Sequence, residues 1–284
     1  MKRWFATTLA VVLLSTALRA DVTIVQNTTV EGGMAAMAQA AGGGASLNPK
    51  LTTRIKGMKS RIEMEGPVSV VTIVDLTTKQ IIVLNVAQKS ATIMTPAAAA
   101  AGTTTTTTTT TTAPTPLGKA DASVKPTGKS QIIDGHKAEE IAFTTSLDMA
   151  QMGGQQLPPE AVAMMQGMKM IMDGSIWVAK DAPGAREYVA FQKSAASSDM
   201  ADAALGASGL SVPGMEKVTK AMASLDGVTM LSEMTMTVEG SGPIADMMRQ
   251  AGPMKVTSKV TSISADPLSD DLFKVPDGYT ITKR

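Results

Sequence analysis

The stretch TIVDLTTKQIIVLN, residues 72–85, decides the fold. It sets two apolar runs around a polar knot: Ile73 and Val74 before it, Ile81 to Leu84 after it, and DLTTK at 75–79 as the bend, the pattern of a β-hairpin. A strand buried on one face alternates apolar with polar residues, but here both faces are apolar. Each face must therefore be covered. If the chain fills both, the hairpin is core; if one stays open, it is the wall of an apolar pocket.

The neighbouring segments extend the hairpin into a meander. Upstream, DVTIVQNTTVEG (21–32) alternates as a first strand, and GGMAAMAQAAGGGAS (32–46) interrupts it as a loop or short helix. LTTRIKG, KSRIEMEG, VSVVTIVDL, KQIIVLNV and KSATIM then follow one another across short polar gaps, as antiparallel strands do. Residues 95–127 break the pattern with five consecutive alanines, ten consecutive threonines and four prolines. Such a segment buries too little apolar surface to offset its ordering entropy, so it is expected to be a disordered Ala/Thr/Pro-rich insert, tolerated at small cost when lengthened or shortened. Its threonines could also carry glycans.

Order resumes with KSQIIDGHKAEEIAFTT, a hairpin centred on Asp134 and Gly135. LPPEAVAMMQGMKMIMDG (157–174) predicts a helix over 159–172, opened by Pro158 and Pro159, closed by Asp173 and Gly174, with Met164, Met165, Met168 and Met172 on one stripe. SIWVAKD (175–181) follows as a strand, with a weaker helical stretch at 198–205 and a clearer helix at 213–225. VTMLSEMTMTVEG places Val228, Met230, Met234, Met236 and Val238 on one strand face, and MKVTSKVTSISAD repeats the alternation. The chain ends on a turn at Pro276, Asp277 and Gly278.

The N-terminus, MKRWFATTLAVVLLSTALRA, has basic Lys2 and Arg3, an apolar run and small residues before Asp21, the pattern of a secretory signal peptide over 1–20 cleaved after Ala20 or Ala17. The run is too short to span a membrane stably. There is no cysteine, which excludes disulfides, thiol chemistry and a thioether lipid anchor. Removing Lys2, Arg3 and Arg19 from 26 basic residues leaves 23 against 25 acidic, a balance of −2 that recruits neither nucleic acid nor an anionic membrane. Six aromatic residues remain after cleavage, while the full chain carries 22 methionines, so methionine must fill space that rings usually fill.

RIKGMKSRIEMEG with TIVDLTTKQIIVLN, then IIDGHKAEEI, IWVAKD and FKVPDGYTI, resemble in that order a bacterial periplasmic family of unknown function that is similar to the outer-membrane lipoprotein-sorting (LolA- and LolB-like) carriers. The resemblance implies an α+β fold: a strongly curved antiparallel sheet, a half-open barrel, with helices across its concave face. It makes residues 21–94 and 128–284 one domain around the insert. The helices at 159–172 and 213–225 would cover the hairpin's inner face.

No catalytic arrangement stands out: there is no GxSxG, HExxH, Walker loop or paired carboxylate, and the single histidine, His136, reads as a solvent-exposed turn residue. The expectation is a non-enzymatic periplasmic carrier without a cofactor, holding a lipid, acyl chain or similar apolar ligand against Ile73, Ile82, Leu84, Met164, Met168, Trp177, Met222, Met230 and Met234. One alternative is an envelope sensor or assembly factor binding a protein segment. Another is a Cu(I) binder, since MMQGMKMIM (164–172) is rich in thioethers.

Overall fold

In a computed structural model, residues 21–33, 35–36, 48–66, 69–95, 121–152, 162, 164–198, 200 and 224–284 are described. Residues 1–20, expected to be a signal peptide, the small-residue stretch from 37 to 47, the threonine tract, residues 153–161 with the start of the helix expected at 159–172, most of the 198–205 stretch and the helix expected at 213–225 except Ser224 and Leu225 lie outside them. Neither Ser224 nor Leu225 is helical.

β1 (Val22–Gly32), β2 (Lys50–Lys56), β3 (Lys59–Glu65), β4 (Val70–Asp75), β5 (Gln80–Asn85) and β6 (Ser90–Met94) form one antiparallel meander. β7 (Asp121–Ile133), β8 (His136–Asp148), β9 (Lys169–Ala179), β10 (Val228–Glu239) and β11 (Met254–Ser264) form a second. β11 pairs with β1 and joins the two at the middle of the sheet. β12 (Thr280–Lys283) then lies parallel to β6, so the sheet is mixed rather than wholly antiparallel. The result is one 12-stranded sheet that runs from β12 to β7 without closing into a barrel. Among the described residues two helices longer than one turn accompany it, α1 (Ala185–Ser197) and α2 (Pro243–Ala251), with single helical turns at Met149–Met152 and Asp270–Phe273.

The turns of the first meander repeat one device. Asp75 Oδ1 accepts hydrogen bonds from the Thr77 and Thr78 amides at 2.8 and 3.1 Å, and Asn85 Oδ1 accepts from the Gln88 amide at 3.0 Å. Four residues on from each, Lys79 and Lys89 take positive φ of 52° and 47° to re-enter the next strand. At the β7–β8 bend Asp134 and Gly135 both have positive φ, 49° and 82°, as a two-residue hairpin turn requires.

The register shows what covers the β4–β5 hairpin. Ile73 faces Ile82 and Val71 faces Leu84, so these side chains share one face. There they pack with Ala91, Phe273 and the partly buried Leu268, Leu272, Val275 and Tyr279. The cover is the chain's own C-terminal segment, not a methionine-rich helix. Polar groups fix it in place: the Leu268 amide donates to Asp21 Oδ2 at 2.7 Å, Lys56 Nζ donates to the Leu268 carbonyl at 2.6 Å, and an Arg61 guanidinium nitrogen donates to the Leu272 carbonyl at 2.9 Å. On the opposite face Val74 and Ile81 join Val22, Ile24 and Ile55 in the largest cluster, to which α1 contributes Phe191 and Ala195.

The helix expected at 159–172 is not formed over its C-terminal part. Met168 donates its amide to the Met165 carbonyl in a tight turn, and Lys169 begins β9, which pairs on both sides. The three- and four-residue methionine spacing fits a helix, but Met168, Met170 and Met172 also fit the two-residue period of a strand, and the pairing of β8 with β10 takes it. Gly174, expected to stop a helix, lies within β9 directly opposite Phe143. A Cβ there would come within 2.8 Å of the Phe143 ring and 2.3 Å of the Glu233 carbonyl oxygen, so the absent side chain is what admits the ring. The ordered sheet also begins earlier than expected, since residues 121–127, assigned to the insert, belong to β7. Finally, a register shift between Thr229 and Leu231 breaks the expected alternation of β10, so Val228 and Met234 do not share a face.

Candidate functional site

On the face bearing α1, a cleft of about 200 Å³ lies between that helix and the sheet. Its floor is built by strand alternation from Ile24 and Gln26 of β1, Leu51, Thr53 and Ile55 of β2, and Ser60 and Ile62 of β3, and is completed by Val228 and Thr229 beside the register shift of β10. Its roof is one stripe of α1, Tyr188, Phe191 and Gln192, at helical spacing. The helix starts just after Gly184, whose φ is 68°, and buries Ala185, Phe191 and Ala195. Ala185, Phe191 and Ala195 belong to the main core cluster, and the Tyr188 ring is partly buried against it.

The polar atoms of the cleft are amides and hydroxyls. Gln192 Nε2 donates to the Tyr188 hydroxyl at 3.0 Å. Burial pushes the Tyr188 phenol above its ordinary value, and this hydrogen bond opposes the shift without cancelling it, so the group is a neutral hydroxyl at physiological pH. Such a lining offers apolar contact and uncharged hydrogen bonding. The volume lies below the roughly 300–1,000 Å³ of pockets that enclose drug-sized ligands, which suits a slender molecule.

Of the nine residues expected to line a cavity, none of the eight that are described lines this cleft. Ile73, Ile82 and Leu84 are filled over by the C-terminal segment. Met230 and Trp177 belong to the main cluster, and Met168 packs with Val238 and with Ala245 of α2. Met234 lies between the Phe143 and Met172 clusters. Met164 is 64% exposed, and Met222 lies outside the described residues. The eight described side chains do not gather around one space. His136 opens β8, half-buried, with Nδ1 at 3.7 Å from an Asp181 carboxylate oxygen, so it is not the free turn residue expected.

Tyr188, Phe191 and Gln192 escaped the sequence reading because α1 has no long apolar stripe. Pro183 and Gly184 ahead of an alanine-rich run holding both rings were the available signal. No family model matches the chain, and no curated protein sequence matches it.

Proposed function

We propose that the chain is a non-enzymatic periplasmic binding protein that holds one slender apolar molecule, such as a single acyl chain, between α1 and β1–β3. The observation that carries this is the cleft roofed by Phe191 and Tyr188 over Leu51, Ile55 and Ile62. Binding is equilibrium burial, each enclosed methylene contributing about 0.8 kcal/mol. A sheet with a helix laid across one face supports the likeness to the lipoprotein carriers and, with it, a strongly curved sheet. Export is supported by Asp21: cleavage after Ala20 leaves it as the first residue, and its carboxylate already serves the fold.

The alternative in which a protein segment adds to a sheet edge is less well served. Edge strand β7 carries Pro126 and a register shift between Pro126 and Ser130, features that blunt an edge against pairing. Solvent extraction of natively purified mature protein, followed by mass spectrometry, is expected to release about one apolar molecule per chain. The Leu51→Trp variant, which fills the cleft from the β2 side, should lose it. An empty wild-type extract, or equal retention by a folded variant, would overturn the assignment.

A further inference from the structure

Four thioethers meet on the sheet, where the sequence had spread them over separate segments. Met170 and Met172 of β9 share a face, as do Met234 and Met236 of β10, and the register sets Met172 directly opposite Met236 with Met234 opposite Gly174. Met170, Met234 and Met236 pack on the buried pair Met172 and Leu147. Cross-strand neighbours have Cβ atoms about 5 Å apart, within which flexible methionine side chains can turn their sulfurs toward one point.

A buried hydroxyl borders the patch. Thr145, opposite Met172 on β8, is fully buried, and its Oγ1 has no hydrogen-bond partner. An apolar core seldom leaves a hydroxyl in that state.

We propose that Met172, Met234 and Met236, with Met170 at the margin, form a binding site for a soft monovalent cation, Cu(I) in the first instance. Uncharged, polarizable thioethers select Cu(I) over harder divalent ions. Among the described residues no group of three or more His, Cys, Asp or Glu could hold a metal, so the preference would rest on sulfur alone. This site lies apart from the α1 cleft, shares no residue with it, and does not depend on what the cleft holds.

The test is an anaerobic titration of the full mature chain with Cu(I) in competition with bathocuproine disulfonate, with X-ray absorption reading the ligand atoms. Wild type is expected to retain one Cu(I) with a sulfur-only shell. Met172→Leu/Met236→Leu, which conserves volume and apolarity, should fold as judged by circular dichroism and, with two of the three thioethers gone, no longer retain Cu(I) against the competitor. Met164→Leu, at an exposed methionine outside the cluster, should bind as wild type does. Failure of wild type to retain Cu(I), or retention by the folded double variant equal to wild type, would overturn the proposal. A site abolished equally by Met164→Leu would overturn it too.

Discussion

Asp75 and Asn85 each hold a turn through a side-chain oxygen, so Asp75→Ala should cost about 1 kcal/mol of unfolding free energy, as loss of such a local hydrogen bond does. Lys79→Gly at the end of the same turn should go the other way by up to about 1 kcal/mol, since φ of 52° is strained for a residue with a Cβ. Urea denaturation of the two variants measures both signs. Gly174→Val should be the most harmful single change in β9: the new side chain meets the Phe143 ring and the Glu233 carbonyl, and several kcal/mol of destabilisation is expected, of order 1–3 kcal/mol or more. Glu63 gives a pH dependence. Burial raises its carboxyl, but hydrogen bonds from Arg54 and Arg61 outweigh burial and hold it below its ordinary value. Because the folded pKa is the lower one, this contribution is present above the unfolded value of about 4.3 and is lost as pH falls through the folded value. Thermal melts from pH 6 to pH 3 should therefore fall less steeply for Glu63→Gln than for wild type; parallel slopes would remove Glu63 from the acid sensitivity.

The C-terminal segment answers the question raised by the hairpin at 72–85. Its turn at Asp270–Phe273 presents Phe273, itself 5% exposed, to Ile73, Ile82 and Leu84. Phe273→Ala should destabilise the protein by roughly 3–5 kcal/mol and increase binding of a dye that reports exposed apolar surface. A variant as stable as wild type would mean that the segment is not the cover. The strands of the first meander were legible in the sequence because alternation and turn chemistry agree there. The hairpin at Asp134 and Gly135 was legible for the same reason. What covers each face was not, because the covering residues lie some two hundred positions away and their apolar content is brief. β9 reads as a helix because Met168 and Met172 satisfy both periods, and only its partners β8 and β10 decide between them. α1 was missed because alanines carry much of its buried stripe.

At the scale of the whole molecule, β6 and β7 follow one another in the chain but lie at opposite ends of the sheet. β7 is one edge and β6 adjoins the other, ten strand spacings away, about 48 Å along a flat sheet and about 14 extended residues. The insert is therefore not freely removable: how far residues 95–120 can be shortened depends on how strongly the sheet curls. A strongly curved sheet predicts that a ten-residue glycine–serine linker keeps the melting temperature within a few degrees of wild type, whereas a flat one would not tolerate it. The chain fills both sides of the β4–β5 hairpin, and the ligand proposed above would enter instead beneath α1. Hydrogen–deuterium exchange of the protein without residues 1–20, with and without octanol, tests this most directly. Added octanol should slow exchange in Ala185–Ser197 and Lys50–Lys56 and leave Val70–Asp75 and Gln80–Asn85 unchanged. Protection centred on Val70–Asn85 with none in α1, or no protection anywhere, would contradict the account.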